Sequence, residues 1–373
     1  MDALMLPLNW QRVRLGDIGK PCMCKRVMKH QTTRYGEIPF YKIGTFGNTA
    51  DAFISKKLFL EYKTKYSFPK KGDILISASG TIGRAVIYDG KPAYFQDSNI
   101  VWIDNDETLV KNDFLFYAYS NVKWNTEHTT ILRLYNDNFR NTLIPLPPLN
   151  EQIAIADILS GLDRYLYALD ALILKKESVK KALSFELLSQ RKRLKGFNQA
   201  WQRVRLGDIA NYLTSNLSVE QITQQGKIKV YDVNNFIGYT DTTFISDKPY
   251  ISIVKDGSVG RVRILPPKTN ILSTMGALIA NHRTTTEFLF YLLSNFDFKN
   301  FISGSIIPHI YFKDYKEKTI FLPPLNEQIA IANILSDVDH EITSLKNKKS
   351  QFDNIKKALN HDLMSAKIRV LKK

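Results

Sequence analysis

Two short loops combine glycine with arginine in a pattern that suits contact with a polyanion. The first reads Gly-Thr-Ile-Gly-Arg at residues 80–84, and the second reads Gly-Ser-Val-Gly-Arg at residues 257–261. Glycine lets backbone N–H groups approach a phosphate, and arginine can bind phosphate or guanine through two parallel hydrogen bonds. The alternative is a turn between two strands with an exposed arginine. The residues of these loops that we predict to contact DNA are Ser79, Thr81, Arg84, Ser258 and Arg261.

A second candidate segment lies just before each of two Pro-Pro pairs. Residues 129–138 read TTILRLYNDN, and residues 305–314, which lie 176 positions later, read SIIPHIYFKD. Polar, aromatic and basic side chains that differ between two copies suit the reading of base edges. The alternative is a final strand with solvated polar residues. The candidate DNA-binding residues of these segments are Arg133, Tyr135, Asn136, Asn138, His309, Tyr311 and Lys313.

The sequence lacks the motifs that would make these segments part of an enzyme. Both Pro-Pro pairs read Leu-Pro-Pro-Leu, without the acid or amide and the aromatic ring that an adenine methyltransferase needs there. No Gly-Lys pair is followed by the Ser or Thr of a phosphate-binding loop, and neither HExxH nor a paired CxxC motif occurs. We therefore expect a non-catalytic chain that binds no metal and no cofactor of its own.

The charge balance favours a polyanionic partner. The net charge is +16, from 52 Lys and Arg against 36 Asp and Glu. Such an excess favours nucleic acid or an acidic membrane surface, although it can also serve solubility alone. The only cysteines are Cys22 and Cys24, which excludes a disulfide framework and indicates a reducing, cytoplasmic setting. Because no stretch of about 18 apolar residues occurs, no membrane span is expected, and nucleic acid is the favoured polyanion.

Two long repeats define the elements that must position these loops. The sequence LPPLNEQIAIADILS at residues 146–160 returns as LPPLNEQIAIANILS at 322–336, and WQRVRLGDI at 10–18 returns unchanged at 201–209. Repeats this far apart indicate duplicated domains and not a solenoid. The predicted organisation is a first globular unit at 1–148, a long helix at 149–196, a second globular unit at 197–324 and a second long helix at 325–373.

Both globular units are predicted to have the same order of strands and helices. Short apolar helices are expected at residues 113–120 and 287–294, where the residues FLFY recur. This pattern predicts an α+β fold with two mixed α/β domains. Strands are expected at residues 10–15, 38–43, 73–77, 85–88 and 100–103 in the first unit, and at 201–206, 227–233, 251–255 and 262–265 in the second.

Each long helix carries an apolar seam with a heptad period, typical of a coiled coil. Since each apolar seam must be buried, we predict that the two helices pair antiparallel within one chain and create an internal pseudo-two-fold symmetry. The alternative is that each helix packs only on its own domain. Asn150 and Asn326 are predicted N-caps. The seam residues are Ile155, Leu159, Leu162, Leu166, Leu169, Ile173 and Leu183 in the first helix, with Lys176 as the one break, and Ile331, Val338, Leu345, Phe352 and Leu359 in the second, with Leu335, Ile342 and Ile355 near it.

These motifs together resemble the specificity subunit of a type I restriction–modification system. The resemblance covers essentially the whole chain, although the second domain lacks clear KGDIL and QDSN counterparts. It rests on the two WQRVRLGDI starts, the two LPPLNEQ helix starts, KGDIL at residues 71–75, GTIGR at 80–84, QDSNI at 96–100 and the LMS end at 363–365.

The resemblance implies two target-recognition domains, each reading one half of a bipartite, asymmetric site in double-stranded DNA. It also implies that the helices dock two methyltransferase subunits and, through them, restriction subunits. The chain itself would be non-catalytic, and S-adenosylmethionine, ATP and magnesium would be bound by those partners. A non-catalytic two-domain coiled-coil adaptor, or a DNA-binding regulator, is the alternative. The helix-start residues assigned to docking are Asn150, Glu151, Gln152, Asn326, Glu327 and Gln328.

Overall fold

The computed structural model describes residues 7–128 and 132–371, and the chain divides into two compact units. One unit comprises Met1–Leu169 and Lys348–Lys373, and the other comprises Asp170–Asn347. Each unit contains one globular domain, the start of the long helix that follows that domain, and the end of the other long helix. Within the described ranges, no helix has both the length and the apolar character that a bilayer span needs.

The domain of the first unit is a mixture of short strands and helices. Its described strands are β1 (Gln11–Arg14), β2 (Gly19–Met23), β3 (Ile38–Tyr41), β4 (Phe53–Ile54), β5 (Ile74–Ser77), β6 (Ala85–Ile87), β7 (Tyr94–Phe95), β8 (Ile100–Asn105), β9 (Glu127–His128), β10 (Leu132–Arg133) and β11 (Leu143–Leu146). Its helices are α1 (Leu15–Ile18), α2 (Lys56–Lys65), α3 (Asn112–Tyr119) and α4 (Asn136–Asn141), followed by the first long helix, α5 (Leu149–Leu188).

The described part of the first domain contains four sheets, one of which is the antiparallel pair of β9 and β10. The largest has the strand order β2-β8-β5-β6 and is antiparallel throughout. Strand β3 pairs antiparallel with β4 and parallel with β7, whereas β1 pairs antiparallel with β11. Strand β5 is buried along its whole length, so its apolar side chains are removed from water on both faces.

The domain of the second unit repeats this arrangement. Its strands are β12 (Gln202–Arg205), β13 (Ala210–Thr214), β14 (Ile228–Tyr231), β15 (Phe236–Thr240), β16 (Tyr250–Val254), β17 (Val262–Leu265), β18 (Asn270–Ile271), β19 (Met275–Ala280) and β20 (Thr319–Leu322). Its helices are α6 (Thr286–Ser294) and α7 (Phe312–Tyr315), followed by the second long helix, α8 (Leu325–Met364).

Three sheets of the first domain have counterparts in the second domain, whereas the β9–β10 pair has none among the described strands. The order β13-β19-β16-β17 matches the largest sheet of the first domain, β15-β14-β18 matches β4-β3-β7, and β12-β20 matches β1-β11. The mixed sheet is parallel at the same place, since β14 runs parallel to β18. Two sequences that differ through most of their interiors therefore form the same framework, and the predicted α+β class is confirmed.

Both units contain an antiparallel pair of helical segments, one from α5 and one from α8. In the second unit, Lys180 pairs with Asp339 at 2.5 Å, and Lys346 pairs with Glu177 at 2.6 Å. Lys176, the one break in the predicted heptad series, is satisfied by an ion pair with Glu341. The predicted antiparallel pairing of helices from one chain is confirmed.

In the first unit, the rings of Tyr165 and Phe352 lie 4.7 Å apart, and Asp163 pairs with Lys356. The residue numbers run in opposite directions, as in the second unit. Most predicted seam residues are buried, whereas Ile355 is half exposed and does not belong to the seam. The buried seam residues are Ile155, Leu159, Leu166, Leu169 and Ile173 in α5, and Ile331, Leu335 and Ile342 in α8.

The long helices end earlier than the sequence predicted, at Leu188 and Met364. Gln190 and Ala366 follow these ends and adopt the left-handed conformation, with φ of 63° and 56°. This conformation stops an α-helix, and its position just past the last helical turn is typical of a C-terminal cap. Residues 191–196 are therefore not helical, and the first long helix does not extend to residue 196.

Two other local predictions are corrected. The N–H groups of Glu151 and Gln152 donate to the Pro148 carbonyl oxygen, so the first long helix begins at Leu149, one residue before the predicted asparagine cap. Equivalent hydrogen bonds to the Pro324 carbonyl oxygen start the second long helix at Leu325. The segment before the first Pro-Pro pair is not a single final strand, because α4 follows β10 directly. Residues 129–131, which open that segment, lie outside the described residues.

Candidate nucleic-acid interface

The glycine–arginine loops are the turns of two equivalent hairpins, β5–β6 and β16–β17. Gly80 and Gly83 have φ of 65° and 82°, and Gly257 and Gly260 have φ of 82° and 80°. These left-handed conformations explain why glycine recurs at both positions. The N–H of Gly83 donates to the Ser77 carbonyl at 2.9 Å, and the N–H of Gly260 donates to the Val254 carbonyl at 2.9 Å. The turn interpretation is therefore correct, and it is compatible with DNA contact.

In the first domain, the hairpin loop lies against the second candidate segment. Ser79 forms an isolated antiparallel bridge with Arg133. The Ser79 hydroxyl donates to Asn99 Oδ1 at 2.8 Å, and Arg133 Nη2 donates to the same oxygen at 3.4 Å. Ser79 is buried, so it supports the half-buried Arg133 and Asn99 and does not itself face solvent.

The second domain brings the equivalent pair of segments together with different side chains. Asp256 bridges His309 in the antiparallel sense, and His309 Nδ1 lies 2.7 Å from Asp256 Oδ1. The His309 ring stacks near Tyr311 with centroids 6.4 Å apart, and the Lys313 ammonium lies 5.5 Å from the Tyr311 ring centre. An acid, an imidazole and a cation thus occupy the region where the first domain holds an arginine and an amide.

The remaining candidates differ in exposure. Thr81, Arg84 and Tyr135 are exposed in the first domain, as are Ser258 and Arg261 in the second. Tyr311 and Lys313 are exposed as well. Asn136 and Asn138 lie on α4; Asn136 is exposed, and Asn138 is half-buried. Across residues 7–128 and 132–371, no group of three or more His, Cys, Asp or Glu side chains could hold a metal ion.

A sequence profile described as the type I restriction modification DNA specificity domain matches residues 7–177 and 198–352. The chain belongs to this family. It is accordingly a non-catalytic DNA specificity subunit of a type I restriction–modification system, as the resemblance of its motifs implied. The two profile matches correspond to the two repeated domains and the helical segments that follow them.

Relatives support this assignment. A Haemophilus influenzae protein provisionally named a type I restriction enzyme specificity subunit is 64% identical over 148 residues, which cover 39% of this chain and 38% of that protein. The MjaVIII type I restriction enzyme specificity subunit of Methanocaldococcus jannaschii is 26% identical over 99% of this chain and 95% of its own length. The crystal structure of a type I restriction–modification S subunit from M. genitalium shares the fold, with a TM-score of 0.64, 20% identity, and coverage of 97% of this chain and 98% of that one.

The start of the first long helix of the specificity subunit is buried in a cluster of Trp10, Glu151 and Arg369, which we call the joint. Glu151 is 2% exposed, and its carboxylate accepts hydrogen bonds from Trp10 Nε1 at 3.0 Å and from Arg369 Nε at 2.6 Å and Nη2 at 2.8 Å. Gln152 accepts from the Lys111 N–H and donates to the carbonyl oxygens at positions 109 and 147. The helix start is thereby fixed to the residue before β1 and to the segment that follows α8.

The second helix start has the same joint. Glu327 accepts from Trp201 Nε1 at 3.0 Å and from two guanidinium nitrogens of Arg193, the nearer at 2.6 Å. Gln328 accepts from Thr284 and is fully buried, like Glu327. The burial of Glu151, Gln152, Glu327 and Gln328 removes these four residues from any docking surface, because their polar atoms are engaged inside their own unit. Asn150 and Asn326 are exposed.

A second repeated cluster fixes the FLFY helix of each domain to the long helices. The Tyr117 hydroxyl donates to Asp163 at 2.7 Å, and the equivalent Tyr291 hydroxyl donates to Asp339 at 2.9 Å. Burial, and then the neighbouring aspartate, raise the pKa of both tyrosines. Lys356 lies over the ring of Tyr117, as Lys180 lies over that of Tyr291. The orientation of each recognition domain on its helices therefore depends on polar side chains as well as on the apolar core.

Four side chains of the candidate interface were not selected from the sequence. They are Asn48 and Asn99 in the first domain and Asn234 and Asp256 in the second, each of which contacts a selected arginine or histidine. Asn99 stood within the motif QDSNI, and Asp256 directly precedes the second Gly–Arg loop, so adjacency to a motif was an available signal. Asn48 and Asn234 lie in loops with no shared sequence pattern, and only the fold brings them to the hairpins.

Proposed function

We propose that this specificity subunit binds a bipartite, asymmetric DNA site, with one half-site read by each domain. The observation that carries this proposal is the contrast between Arg133 with Asn99 and His309 with Asp256. Arg133 and His309 occupy the same place in one backbone framework, since they bridge Ser79 and Asp256 just before the hairpin glycines, yet the two pairs offer different donors and acceptors. Different hydrogen-bonding groups favour different base edges, so two domains of one fold would read two different sequences.

The chemistry of each pair narrows what it can read. Arg133 offers a fork of donors that matches the O6 and N7 acceptors of guanine. Asp256 offers an acceptor for the cytosine amino group, while the His309 ring can donate or accept at its outer nitrogen. Exposed tyrosines beside both pairs, Tyr135 and Tyr311, would contact the sugar or a thymine methyl group.

The proposal is tested by purifying the chain with its methyltransferase partner and mapping methylated adenines across a genome. The expected result is one motif with two short defined parts separated by a fixed number of unspecified base pairs. A single uninterrupted motif, or no methylation by an otherwise active complex, would contradict the two-reader proposal.

We also propose that the helix starts dock two methyltransferase subunits, one at each copy. The exposed residues Leu149, Asn150 and Ile153 return as Leu325, Asn326 and Ile329. Exposed apolar side chains that are identical in two copies favour a shared partner surface, since neither burial nor helix formation requires their identity. Restriction subunits would join through the methyltransferases, and S-adenosylmethionine, ATP and magnesium would be bound by those partners.

Docking is tested by charge substitution within each copy. Ile153→Glu should lower the number of bound methyltransferases from two to one, and the double variant with Ile329→Glu should bind none. Leu174→Glu is the matched control, because Leu174 is an exposed apolar residue of the same helix outside the repeated motif. Native mass spectrometry would measure the stoichiometry, and two bound methyltransferases in the double variant would refute this surface.

A further inference from the structure

An exposed arginine in each recognition hairpin is held by an asparagine from a second loop. Arg84 Nη2 donates to Asn48 Oδ1 at 3.4 Å, and Arg261 Nη2 donates to Asn234 Oδ1 at 2.8 Å. Asn48 lies between β3 and β4, and Asn234 lies between β14 and β15. The two pairs are therefore equivalent in topology, although the two loops share no sequence pattern.

Each asparagine is itself held by a well-ordered turn. In the first domain, the Asn48 N–H donates to the Thr45 carbonyl at 2.9 Å, and the guanidinium of Arg84 lies against Gly47, which has a φ of 75°. In the second domain, the Asn234 N–H donates to Asp232 Oδ1 at 2.8 Å. The loops thus provide a fixed acceptor that orients each guanidinium before any ligand binds.

Arg84 and Arg261 have no ion-pair partner among the residues that the structure describes. Arg205, by contrast, is neutralised by ion pairs with Asp208 and Glu317. The asparagine oxygen accepts one N–H, and the remaining guanidinium and amide N–H groups are all donors. Each pair therefore presents an uncompensated positive charge and mostly hydrogen-bond donors, which fits an anionic acceptor.

We propose that Arg84 with Asn48, and Arg261 with Asn234, are two copies of a phosphate clamp that binds the DNA backbone in each half-site. The reason is the contrast with the neighbouring residues. The Arg–Asn pair is the same in both domains, whereas the adjacent Arg133–Asn99 and Asp256–His309 pairs differ. A contact common to two readers of different sequences must be indifferent to sequence, and phosphate contacts position a protein without specifying bases. The division into phosphate contacts and base-reading contacts rests on the proposed function.

The clamp is tested in the complex with the methyltransferase by measuring DNA affinity across a range of salt concentrations. Arg84→Ala and Arg261→Ala should each reduce the slope of log K against log salt by about 0.9, which weakens binding about eightfold at 0.1 M salt. Neither variant should change the methylated motif. Asn48→Ala and Asn234→Ala should weaken binding by a smaller factor, because the arginine remains but is no longer oriented.

Three comparisons make the outcome decisive. Arg203→Ala is the matched control, because Arg203 is an exposed arginine on β12, outside the hairpin loops, and its slope should equal that of the unmodified chain. Arg133→Ala should relax the motif in one half-site only. A changed motif, or an unchanged slope, in Arg84→Ala and Arg261→Ala would overturn the clamp. Failure of the unmodified complex to bind a bipartite site would instead overturn the proposed function.

Discussion

At the scale of single residues, the most constrained groups are the carboxylates that begin the long helices. Glu327 is fully buried and meets two guanidinium N–H groups and one indole N–H. Removing one member of a buried ion pair leaves the other without its partner, which is far more destabilising than the loss of a surface pair. A single substitution of this buried carboxylate should therefore lower the stability of the fold strongly.

We expect Glu327→Ala to lower the free energy of unfolding by about 3 kcal/mol, because Arg193 and Trp201 lose their shared acceptor. The matched control is Glu317→Ala, which removes an exposed carboxylate from Arg205 and should change stability by less than about 1 kcal/mol. Urea denaturation followed by tryptophan fluorescence would measure both. Equal losses in the two variants would contradict the role of burial.

Buried tyrosines predict a loss of stability at alkaline pH. Tyr250 is fully buried, its hydroxyl lies 3.0 Å from Thr269 Oγ1, and burial raises its pKa to about 12. Tyrosine in an unfolded chain ionises near a pKa of about 10. The contribution of Tyr250 is therefore complete below pH ~10 and is lost as the pH rises through about 12, since the unfolded state ionises first.

The expected loss from Tyr250 alone reaches about 2–3 kcal/mol by pH ~12. Denaturation curves at a series of pH values, with tyrosinate absorbance as a second measurement, would show it. In Tyr250→Phe this part of the pH dependence should disappear while the dependence from Tyr88, whose pKa burial also raises to about 12, remains. Identical pH profiles for the two chains would contradict the assignment to Tyr250.

At the scale of elements, the ends of the two long helices show how a helix is stopped without glycine. At the end of α8, the Ala366 N–H donates to the Leu363 carbonyl and the Lys367 N–H donates to the Asp362 carbonyl. This pair of hydrogen bonds is the Schellman motif, in which the left-handed residue is usually glycine. Alanine at a φ of 56° is strained there, because its Cβ is close to the following carbonyl oxygen.

We expect Ala366→Gly to raise the free energy of unfolding by about 0.5–1 kcal/mol, because glycine relieves this strain. The same substitution within the helix, Ala358→Gly, is the control and should lower stability by about 1 kcal/mol, since Ala358 is exposed and helical. Chemical denaturation would give both values. Two changes of the same sign would show that the left-handed conformation is not the cause.

Local sequence patterns predicted the elements with strong periodicity and missed those held by distant contacts. Strand β17 has the predicted bounds, Val262–Leu265. Helix α2 was missed because Phe59 is its only buried residue, so it has no apolar stripe to detect. Glu151 looked like a solvent-facing helix start because its partner Arg369 is 218 residues away. A signal did exist: Arg193 and Arg369 are separated by the repeat offset of 176, in the segments that follow the two long helices.

At the scale of the whole molecule, each recognition domain is a replaceable interior in a repeated frame. The frame of the second domain is the β12–β20 sheet with its helix start, and the interior lies between those strands. The structure also fixes where an exchange must end. Asp256 and His309 contact each other across the interior, so an exchange that stops at residue 305 would separate them.

We expect replacement of residues 211–318 by the corresponding interior of another specificity subunit to change one half of the methylated motif and leave the other half unchanged. A second exchange limited to residues 211–305 should lose recognition of that half-site, because His309 would face a foreign partner. Methylation mapping would compare the two chimaeras. A change in both halves of the motif would refute the independence of the readers.

The division of each long helix between the two units has a consequence for synthesis of the chain. Leu363 and Met364 share a core cluster with Trp10 and Leu15, and Arg369 completes the joint at Glu151. During synthesis, the core of the first domain therefore stays incomplete for roughly 10–40 s, the time needed to make the intervening chain at about 5–20 residues per second. The second unit, Asp170–Asn347, emerges complete before then. A chain truncated shortly after residue 347 should therefore keep a complete second unit, whereas its first domain would lack part of its core.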